Sequence, residues 1–340
     1  MQYGLGLPPL ETVMFALENL FARTDLARAM RDNPVTCVDI GARNGADANL
    51  LPIAFAADVI GFEPEADAFA GLSPQSLYRS VRYENKAIGW SAGKRPLRVT
   101  RDPQSSTLLE PDERIGAEFG KPQFFETVKT VEVETATLDD ALAAARVGGV
   151  DFLKLDIEGA EYEVLQASPR ALASAVAVKT EVSFVPFRKN QKLAADMERY
   201  MAENGFRLMD LMGPSRWRRH GYVIHPHFAP EPIPYSRGQI MHGDYLFMRD
   251  PATLVETKRA ARAAFIAMAY GYFDYAEVLL TRNDVADELR QRHGIDVGAA
   301  VRAASALYGR VVLGREIWAH MRAAIPLLRS LARMVFRPLR

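Results

Sequence analysis

The stretch Val38-Asp-Ile-Gly-Ala-Arg-Asn-Gly45 decides the fold class of this chain. A short apolar run ends there in an acid and then in a turn that carries two glycines. A second apolar run, Val59-Ile-Gly-Phe-Glu-Pro64, also ends in an acid. In open α/β sheets the first such loop brings backbone N–H groups close to a nucleoside ligand, and the acid after the second strand accepts hydrogen bonds from the ribose. The two stretches together predict a cofactor that carries adenosine.

The glycine spacing distinguishes between two cofactors. Dinucleotide-binding loops follow G-x-G-x-x-G, with the pyrophosphate at a helix N-terminus. This loop has only Gly41 and Gly45, and the carboxylate of Asp39 just before them would repel a pyrophosphate. The same acid suits the charged end of a methionine moiety. The loop therefore favours S-adenosylmethionine over NAD, with an ordinary structural turn as the remaining alternative.

Composition and charge are those of an ordinary globular protein. The 340 residues leave room for a large domain and an appendage. Lys plus Arg equals Asp plus Glu at 42 each, so the net charge gives no indication of nucleic-acid binding. The one cysteine, Cys37, can form no internal disulfide, which fits a reducing compartment. No uninterrupted apolar run reaches about 18 residues and no signal-peptide pattern begins the chain, so we expect a cytoplasmic protein.

Strand and helix patterns alternate through the middle of the chain, which predicts a parallel, doubly wound sheet. The predicted strands are Thr36–Ile40, Asp58–Phe62, Val81–Ala87, Asp151–Ile157 and Val176–Phe184, and the clearest helices are Ala160–Ala167 and Leu193–Asn204. Period-two alternation between Arg95 and Glu134 predicts an inserted antiparallel pair. Two more strands, Phe206–Leu211 and Tyr245–Arg249, flank a proline-rich connection that we expect to be irregular. If the first of them is parallel to the others, the connection lies over the ligand edge.

Helical patterns flank this region on both sides. Residues 1–34 form a predicted N-terminal helical segment, with an amphipathic helix over Leu10–Met30. We expect a boundary near residue 250, which separates the central α/β domain, 35–250, from a helical C-terminal extension, 251–340. Near the C-terminus, arginines recur every seven residues beside an apolar stripe, and Pro326 is expected to kink or split the helix. Such a basic amphipathic helix can lie on a membrane surface, pack on its own core or form a homo-oligomer.

Six motifs occur in order over residues 35–250. They are Asp39-Ile-Gly-Ala-Arg-Asn-Gly, Gly61-Phe-Glu-Pro, Ser105-Ser-Thr-Leu-Leu-Glu-Pro, Thr137-Leu-Asp-Asp, Lys154-Leu-Asp-Ile-Glu-Gly-Ala-Glu and Glu181-Val-Ser-Phe. The series resembles the FkbM-type S-adenosylmethionine-dependent methyltransferases. The resemblance implies a Rossmann-like, seven-stranded class I methyltransferase fold and methyl transfer, usually to polyketide or sugar hydroxyls. Arg43 departs from the family's pattern, in which an asparagine-rich loop is more usual.

The candidate cofactor residues lie at the ends of four predicted strands. We expect Glu63 to bind both ribose hydroxyls, the glycine loop to hold the methionine part, and the segment that ends the third strand to meet the adenine edge. The full set is Asp39, Gly41, Arg43, Asn44, Gly45, Glu63, Pro64, Asn85, Ala87 and Asp156.

Charged residues are densest at the end of the fourth predicted strand, at Lys154, Asp156, Glu158 and Glu161. Charges removed from water there need partners, so we expect a network that either holds loops or serves catalysis. Methyl transfer to oxygen requires in-line alignment and removal of the hydroxyl proton. The three acids are candidate bases, and the lysine is a candidate for stabilising the alkoxide. The acids suit Mg²⁺, but the chain has no zinc-ligand spacing, and we expect no metal.

Four residues are candidates for contact with the acceptor: Ser106, Glu181, His220 and His242. Glu181 closes the fifth strand, where it either faces the acceptor or pairs with Lys179 or Arg188. Aromatic and basic residues in the proline-rich connection suit a sugar or an anionic acceptor. We therefore expect O-methylation of a sugar, glycan or glycolipid. An N- or C-methyltransferase on a small metabolite and a non-catalytic assembly module remain as alternatives.

Overall fold

A computed structural model describes residues 16–74, 76–220 and 238–336. Its strands are β1 (Val35–Ile40), β2 (Ala57–Phe62), β3 (Ser80–Glu84), β4 (Ala87–Ile88), β5 (Gly93–Thr100), β6 (Thr127–Ala136), β7 (Phe152–Leu155), β8 (Ala177–Ser183), β9 (Phe206–Trp217) and β10 (Gln239–Arg249). Seven of them form one sheet in the order β3-β2-β1-β7-β8-β10-β9. The pairs among β3, β2, β1, β7 and β8 are parallel, and β10 runs antiparallel to both of its neighbours. The predicted Rossmann-like seven-stranded fold is therefore confirmed.

The strand order reverses between β1 and β7, which lie side by side although more than 100 residues separate them in the sequence. In open α/β sheets the ligand site lies at the carboxyl ends of the strands, at such a reversal. Here the loops after β1, β2 and β7 all open at that edge. The register places Asp39 on β1 directly beside Lys154 on β7.

The expected antiparallel insertion is also present. β5 pairs antiparallel with β6, and β4 joins β6 to complete a separate three-stranded sheet. The loop between β5 and β6 carries the Ser105–Pro111 motif back to the large sheet, where the hydroxyl of Thr107 donates a 2.7 Å hydrogen bond to the backbone oxygen of Glu158. The insertion therefore forms one wall at the ligand edge.

The helices cover both faces of the large sheet. They are α1 (Ala27–Asp32), α2 (Ala66–Gly71), α3 (Glu113–Phe119), α4 (Leu138–Ala144), α5 (Glu161–Gln166), α6 (Pro169–Ser174), α7 (Ala194–Glu203), α8 (Thr257–Ala269), α9 (Phe273–Leu280), α10 (Asn283–His293) and α11 (Val297–Phe336). β1 and β2 are almost entirely buried, as expected for parallel strands covered on both faces. The C-terminal helices share a core with the sheet, because the Tyr270 ring after α8 packs 5.8 Å from that of Phe152 on β7.

Two expected elements near the N-terminal half differ from the structure. The described part of the predicted helix Leu10–Met30 is broken into a 3-10 turn, Leu20–Arg23, and α1; the rest lies outside the described residues. The break lies at Thr24, whose extended backbone (φ −111°, ψ 163°) ends the turn, while Asn19 with its left-handed backbone (φ 53°) precedes the turn. The third strand ends at Glu84, and Ala87 belongs to the small sheet instead.

Two other differences concern the C-terminal half. The connection before Tyr245 is more regular than expected, because β9 continues to Trp217 and pairs with β10 from Gln239 onward. β9 is parallel to β8, so its end does open at the ligand edge; the prolines 226–234 lie outside the described residues. The helix α11 continues across Pro326 instead of splitting there, since a lone proline removes only one backbone donor. None of the helices in the described residues has the length and apolar content needed to cross a bilayer.

Candidate active site

Gly41 lies where the loops after β1 and β7 come into contact. Its backbone is left-handed (φ 84°), and a Cβ atom added there would lie 2.0 Å from the backbone oxygen of Asp156. The amides of Gly41 and Ala42 both donate to the backbone oxygen of Phe62, at 3.0 and 3.1 Å. Only glycine allows the three loops to meet in this way.

A cleft opens across these loops at the carboxyl ends of β1, β2 and β7. The predicted cofactor residues that line it are Gly41, Arg43, Asn44, Glu63, Pro64, Ala87 and Asp156. Ser106, predicted to contact the acceptor, lines the same cleft from the inserted sheet. Arg43 forms an ion pair with Glu65 and so joins the loops after β1 and β2, a role that the sequence did not indicate.

Glu63 is the buried acid of this cleft. One of its carboxylate oxygens accepts the Glu65 amide at 2.9 Å. Burial raises the pKa of the carboxyl group, while that amide and Arg43 oppose the shift. A carboxylate at the end of the second strand, lining a cleft, fits a ribose diol.

Three predicted cofactor residues lie behind the cleft and do not line it. The Asp39 carboxylate accepts a hydrogen bond from Lys154, the Gly45 amide closes the loop onto the Ala42 oxygen at 2.9 Å, and Asn85 donates to the backbone oxygens of Glu63 and Pro64. These contacts hold the loops that carry the lining residues. We therefore infer that the three residues position the cleft.

Lys154 forms a buried ion pair and does not line the cleft. Its Nζ lies 2.9 Å from Asp39 and 3.8 Å from Asp156. Burial disfavours the ammonium, but the two carboxylates outweigh it and raise the pKa of Lys154, so the side chain stays charged. Burial raises the pKa of Asp39 to about 7, and its Oδ2 has no hydrogen-bond partner among the described residues.

The loop after β7 has a strained backbone. Glu158 is left-handed (φ 62°), which is uncommon for a residue with a side chain, and Gly159 follows at φ 115°. The Glu161 carboxylate fixes this turn by accepting the amides of Ile157 and Gly159 at 2.9 to 3.1 Å. Burial raises the pKa of Glu161 to about 7 against the effect of these donors. Because its oxygens face the backbone, Glu161 fits a positioning role better than that of a base.

A second pocket adjoins the cleft, with which it shares Gln104 and Glu158. We call it the aromatic pocket; its lining includes Phe124, Phe125, Phe187 and Trp217 together with Glu158, Glu181, Arg188 and His242. The Phe187 and Trp217 rings are stacked, with centroids 5.1 Å apart and planes 10° apart. The His242 ring meets both of them edge-on.

Glu181 and His242 form a hydrogen-bonded pair in this pocket. The two residues lie on the neighbouring strands β8 and β10, and Nδ1 of His242 is 2.8 Å from Oε1 of Glu181. Burial and the nearby carboxylates raise the pKa of Glu181 well above its usual range. Burial lowers the pKa of His242, so the imidazole is neutral near pH 7.

The neighbouring carboxylate, Glu158, is paired with Arg188. Their side chains approach to 3.0 Å, and the guanidinium also donates to the Ser105 oxygen at 3.1 Å. Arg188 is only 2% exposed, and its Nε has no hydrogen-bond partner in the described chain. Lys179, the other partner considered for Glu181, binds Asp47 and Asp244 instead.

Three carboxylates converge between the cleft and the aromatic pocket. Oxygens of Asp156, Glu158 and Glu181 lie within 4.8 Å of one another, a donor set that Mg²⁺ prefers. His242 and Arg188 already engage two of the three groups. The expected independence from metal stays a prediction.

His220 lies outside both pockets. Its exposed ring rests against Gly120, and its amide donates to the Glu118 oxygen at 2.8 Å. Sequence reasoning missed Phe124, Phe125 and Phe187, because they occur in irregular segments where no periodic pattern identifies a buried face. The sequence features that could have identified them are the Phe124-Phe125 doublet and the position of Phe187 shortly after the Glu181 motif.

A separate groove opens at the opposite edge of the sheet, at the amino ends of β1, β2 and β3. Its arginines are engaged: Arg79 pairs with Asp58, and Arg262 with Asp151 at 2.7 Å. The first pair joins two neighbouring parts of the sheet and the second ties the sheet to α8, so these two arginines of the groove have structural roles.

Comparison with known families identifies the class of this protein. The model of the methyltransferase FkbM domain matches residues 39–208, which is half of the chain. The chain belongs to this family, and the resemblance seen in the motifs is confirmed. It is an S-adenosylmethionine-dependent methyltransferase, as the resemblance implied, and the cofactor is the one that the glycine loop favoured over NAD.

Two solved structures with similarity to the chain are magnesium protoporphyrin IX methyltransferase (ChlM) from Synechocystis PCC 6803, one with bound SAM and one with bound SAH. Each is 12% identical, and the alignments cover 73% of this chain and 88% and 90% of theirs, with TM-scores of 0.30 and 0.28. The search of curated proteins finds no match.

The residues that line the cleft fit S-adenosylmethionine. Glu63 offers a buried carboxylate for the ribose, and the exposed side chains of Asn44 and Asp156 offer polar groups for the charged methionine end.

Proposed function

We propose that this methyltransferase acts on a hydroxyl of a sugar, glycan or glycolipid bound in the aromatic pocket. The observation that carries the proposal is the pocket's composition: stacked rings of Phe187 and Trp217 beside the carboxylates of Glu158 and Glu181. Aromatic rings pack against the apolar C–H face of a sugar, and carboxylates accept hydrogen bonds from its hydroxyls. The pocket adjoins the cofactor cleft, so a bound hydroxyl lies near the reacting edge.

In this proposal His242 is the general base. When Glu181 is ionised, it accepts a hydrogen bond from the Nδ1–H of His242 and so fixes the tautomer, and Nε2 takes the proton of the acceptor hydroxyl. The lowered pKa of the imidazole keeps it in the neutral form that a base requires. When bound, the cofactor supplies an electrophilic methyl carbon; this chain's residues hold the acceptor oxygen, orient it and remove its proton.

Glu158 and Arg188 orient the acceptor. Their ion pair is held at the junction of the cleft and the aromatic pocket by the strained turn and by the Ser105 oxygen. Positions fixed in this way favour in-line geometry, which contributes several orders of magnitude to a two-substrate reaction.

N-methylation of a small amine is the second candidate. Aromatic rings and carboxylates also attract an ammonium group through cation–π and ionic contacts. The two candidates differ in their product: an O-methyl ether or an N-methyl amine.

The test is a product assay with radiolabelled S-adenosylmethionine and a panel of free sugars, glycolipids and amines. We expect O-methylated product, lost in Trp217→Ala and Phe187→Ala while calorimetry shows unchanged cofactor binding. The matched control is Trp90→Ala, since Trp90 packs on Arg95 and does not line the pocket. A methyl group found on nitrogen, or activity unaffected by both pocket variants, would refute the proposal.

A further inference from the structure

The helix α11 has an anchored beginning and an exposed remainder. Ala300, Val301 and Ala304 are buried in the core, and the Tyr308 ring stacks on Phe21 with centroids 6.2 Å apart. From Leu313 onward the large apolar side chains described in α11 are exposed. The helix therefore extends beyond the body of the protein that holds its first turns.

These exposed side chains share one face of the helix. The apolar face of α11 consists of Leu313, Ile317, Trp318, Met321, Ile325, Leu328 and Leu331. Their spacing of three and four residues follows the helical repeat, so they form a continuous stripe. Leu313 and Leu328 are 60% and 63% exposed, which shows that the stripe is open along its length. Contiguous apolar surface of this kind marks an interaction site, whereas scattered exposed residues do not.

Positive charge accompanies the apolar face. Eight arginines and a single acid, Glu316, occur from Arg302 to Arg340. Arg315 and Arg322 are exposed, seven residues apart, and so lie along one edge of the stripe. The guanidinium of Arg322 lies over the Trp318 ring, 5.6 Å from its centroid.

We propose that α11 binds the surface of an anionic lipid bilayer through its apolar face. A bilayer offers an apolar interior and negative head groups in the arrangement that this helix complements, with the helix lying in the plane of the interface. A second copy of the chain is a poorer occupant. It would bring two arginine-rich edges together with almost no acids to neutralise them. This proposal does not depend on the acceptor proposed above, because vesicle binding is measured without any methyl transfer.

The experiment is co-sedimentation of the full chain with vesicles of phosphatidylcholine alone or mixed with an equal amount of phosphatidylglycerol. We expect binding to the mixed vesicles, weakened by added salt, and little binding to phosphatidylcholine. The double variant Ile317→Glu/Met321→Glu should bind at least about tenfold more weakly, since two apolar anchors become charged.

The matched control is Ala319→Glu/Ala323→Glu. It adds the same two charges at the same spacing on the opposite, exposed side of α11, so it should retain more vesicle binding than the first variant. A blue shift of fluorescence on vesicle addition, lost in Trp318→Phe, would show insertion of the apolar face. Equal loss in both double variants would overturn the proposal, because binding would then depend on charge alone. A dimer in light scattering that only Ile317→Glu/Met321→Glu dissociates, without vesicle binding by the wild type, would assign the face to a second copy.

Discussion

The Glu181–His242 pair is the residue-scale feature on which the proposed chemistry depends. A carboxylate that orients an imidazole is a recurrent way to prepare a base, because the hydrogen bond selects the tautomer whose other nitrogen accepts a proton. Neither residue is informative alone in the sequence, since a lone loop histidine is usually a surface residue. The antiparallel pairing of β8 and β10 brings the two together.

We predict that His242→Gln lowers kcat by about 10²- to 10⁴-fold, the usual contribution of general-base catalysis, with cofactor affinity unchanged.

The activity of the wild type should rise with pH. At low pH the Glu181–His242 pair carries an additional proton and cannot act as a base, and the raised pKa of Glu181 extends this inactive range upward. In Glu181→Gln the acid limb of the kcat/KM profile should move to lower pH, where the lowered pKa of His242 sets it. Identical acid limbs in the two enzymes would exclude the pair as the titrating unit.

Glu63 carries the residue-scale prediction for the cofactor. We expect Glu63→Ala to remove two charge-assisted hydrogen bonds to the ribose, which should cost about 3 kcal/mol, or roughly 100-fold in Kd for S-adenosylmethionine. Calorimetric titration measures this directly. Glu84→Ala is the control, because Glu84 ends β3 and does not line the cleft. Unchanged affinity in Glu63→Ala would show that the ribose lies elsewhere.

At the scale of elements, the site depends on how three loops meet at the carboxyl edge of the sheet. The loop after β7 is held by Glu161 from within and by Thr107 from the inserted sheet. The loop after β1 touches it at Gly41. These contacts connect the insertion, the glycine loop and the turn after β7.

We predict that Gly41→Ala destabilises the protein by at least about 2 kcal/mol, since the new Cβ meets the Asp156 backbone and the positive φ is strained. Urea unfolding measures the loss, and cofactor binding should fall with it. Gly71→Ala at the end of α2 is the control: nothing lies within 4 Å of its Cβ position, and its stability should be unchanged or slightly higher. Equal stability of the two variants would contradict the close approach of the loops.

At the scale of the whole molecule, the helical extension belongs to the fold of the sheet. Nine residues of α8 are buried, and the Arg262–Asp151 ion pair joins this helix to the start of β7. The boundary near 250 is therefore a change in the sequence pattern from alternating strands and helices to helices alone. One hydrophobic core contains residues from both sides of it.

We predict that a chain ending at residue 250 is insoluble or unfolded, because it exposes this core to water. A chain ending at residue 312 should keep the wild-type Tm within a few degrees, since it lacks only the exposed part of α11. Circular dichroism melting of both proteins is the measurement. A folded, cooperative 1–250 fragment would show that the extension is dispensable.

The sequence by itself determined the sheet, the cofactor and the family. Strands buried on both faces read as continuous apolar runs, and loops that must approach a ligand need glycine, so both leave local signals at Val38–Gly45 and Val59–Pro64. The inserted hairpin was predicted for the same reason, since period-two alternation is local.

Tertiary structure alone decided the roles of the charged and aromatic residues. Lys154 faces Asp39 because β1 and β7 are neighbours, and Glu161 faces backbone amides because the turn before it is strained. The aromatic pocket joins Phe124, Phe187 and Trp217 from three segments distant in the sequence. Such contacts depend on strand order and loop path, which no short stretch of sequence specifies. They give each acid a different partner: Glu161 binds backbone amides, Glu158 pairs with Arg188, and Glu181 bonds to His242.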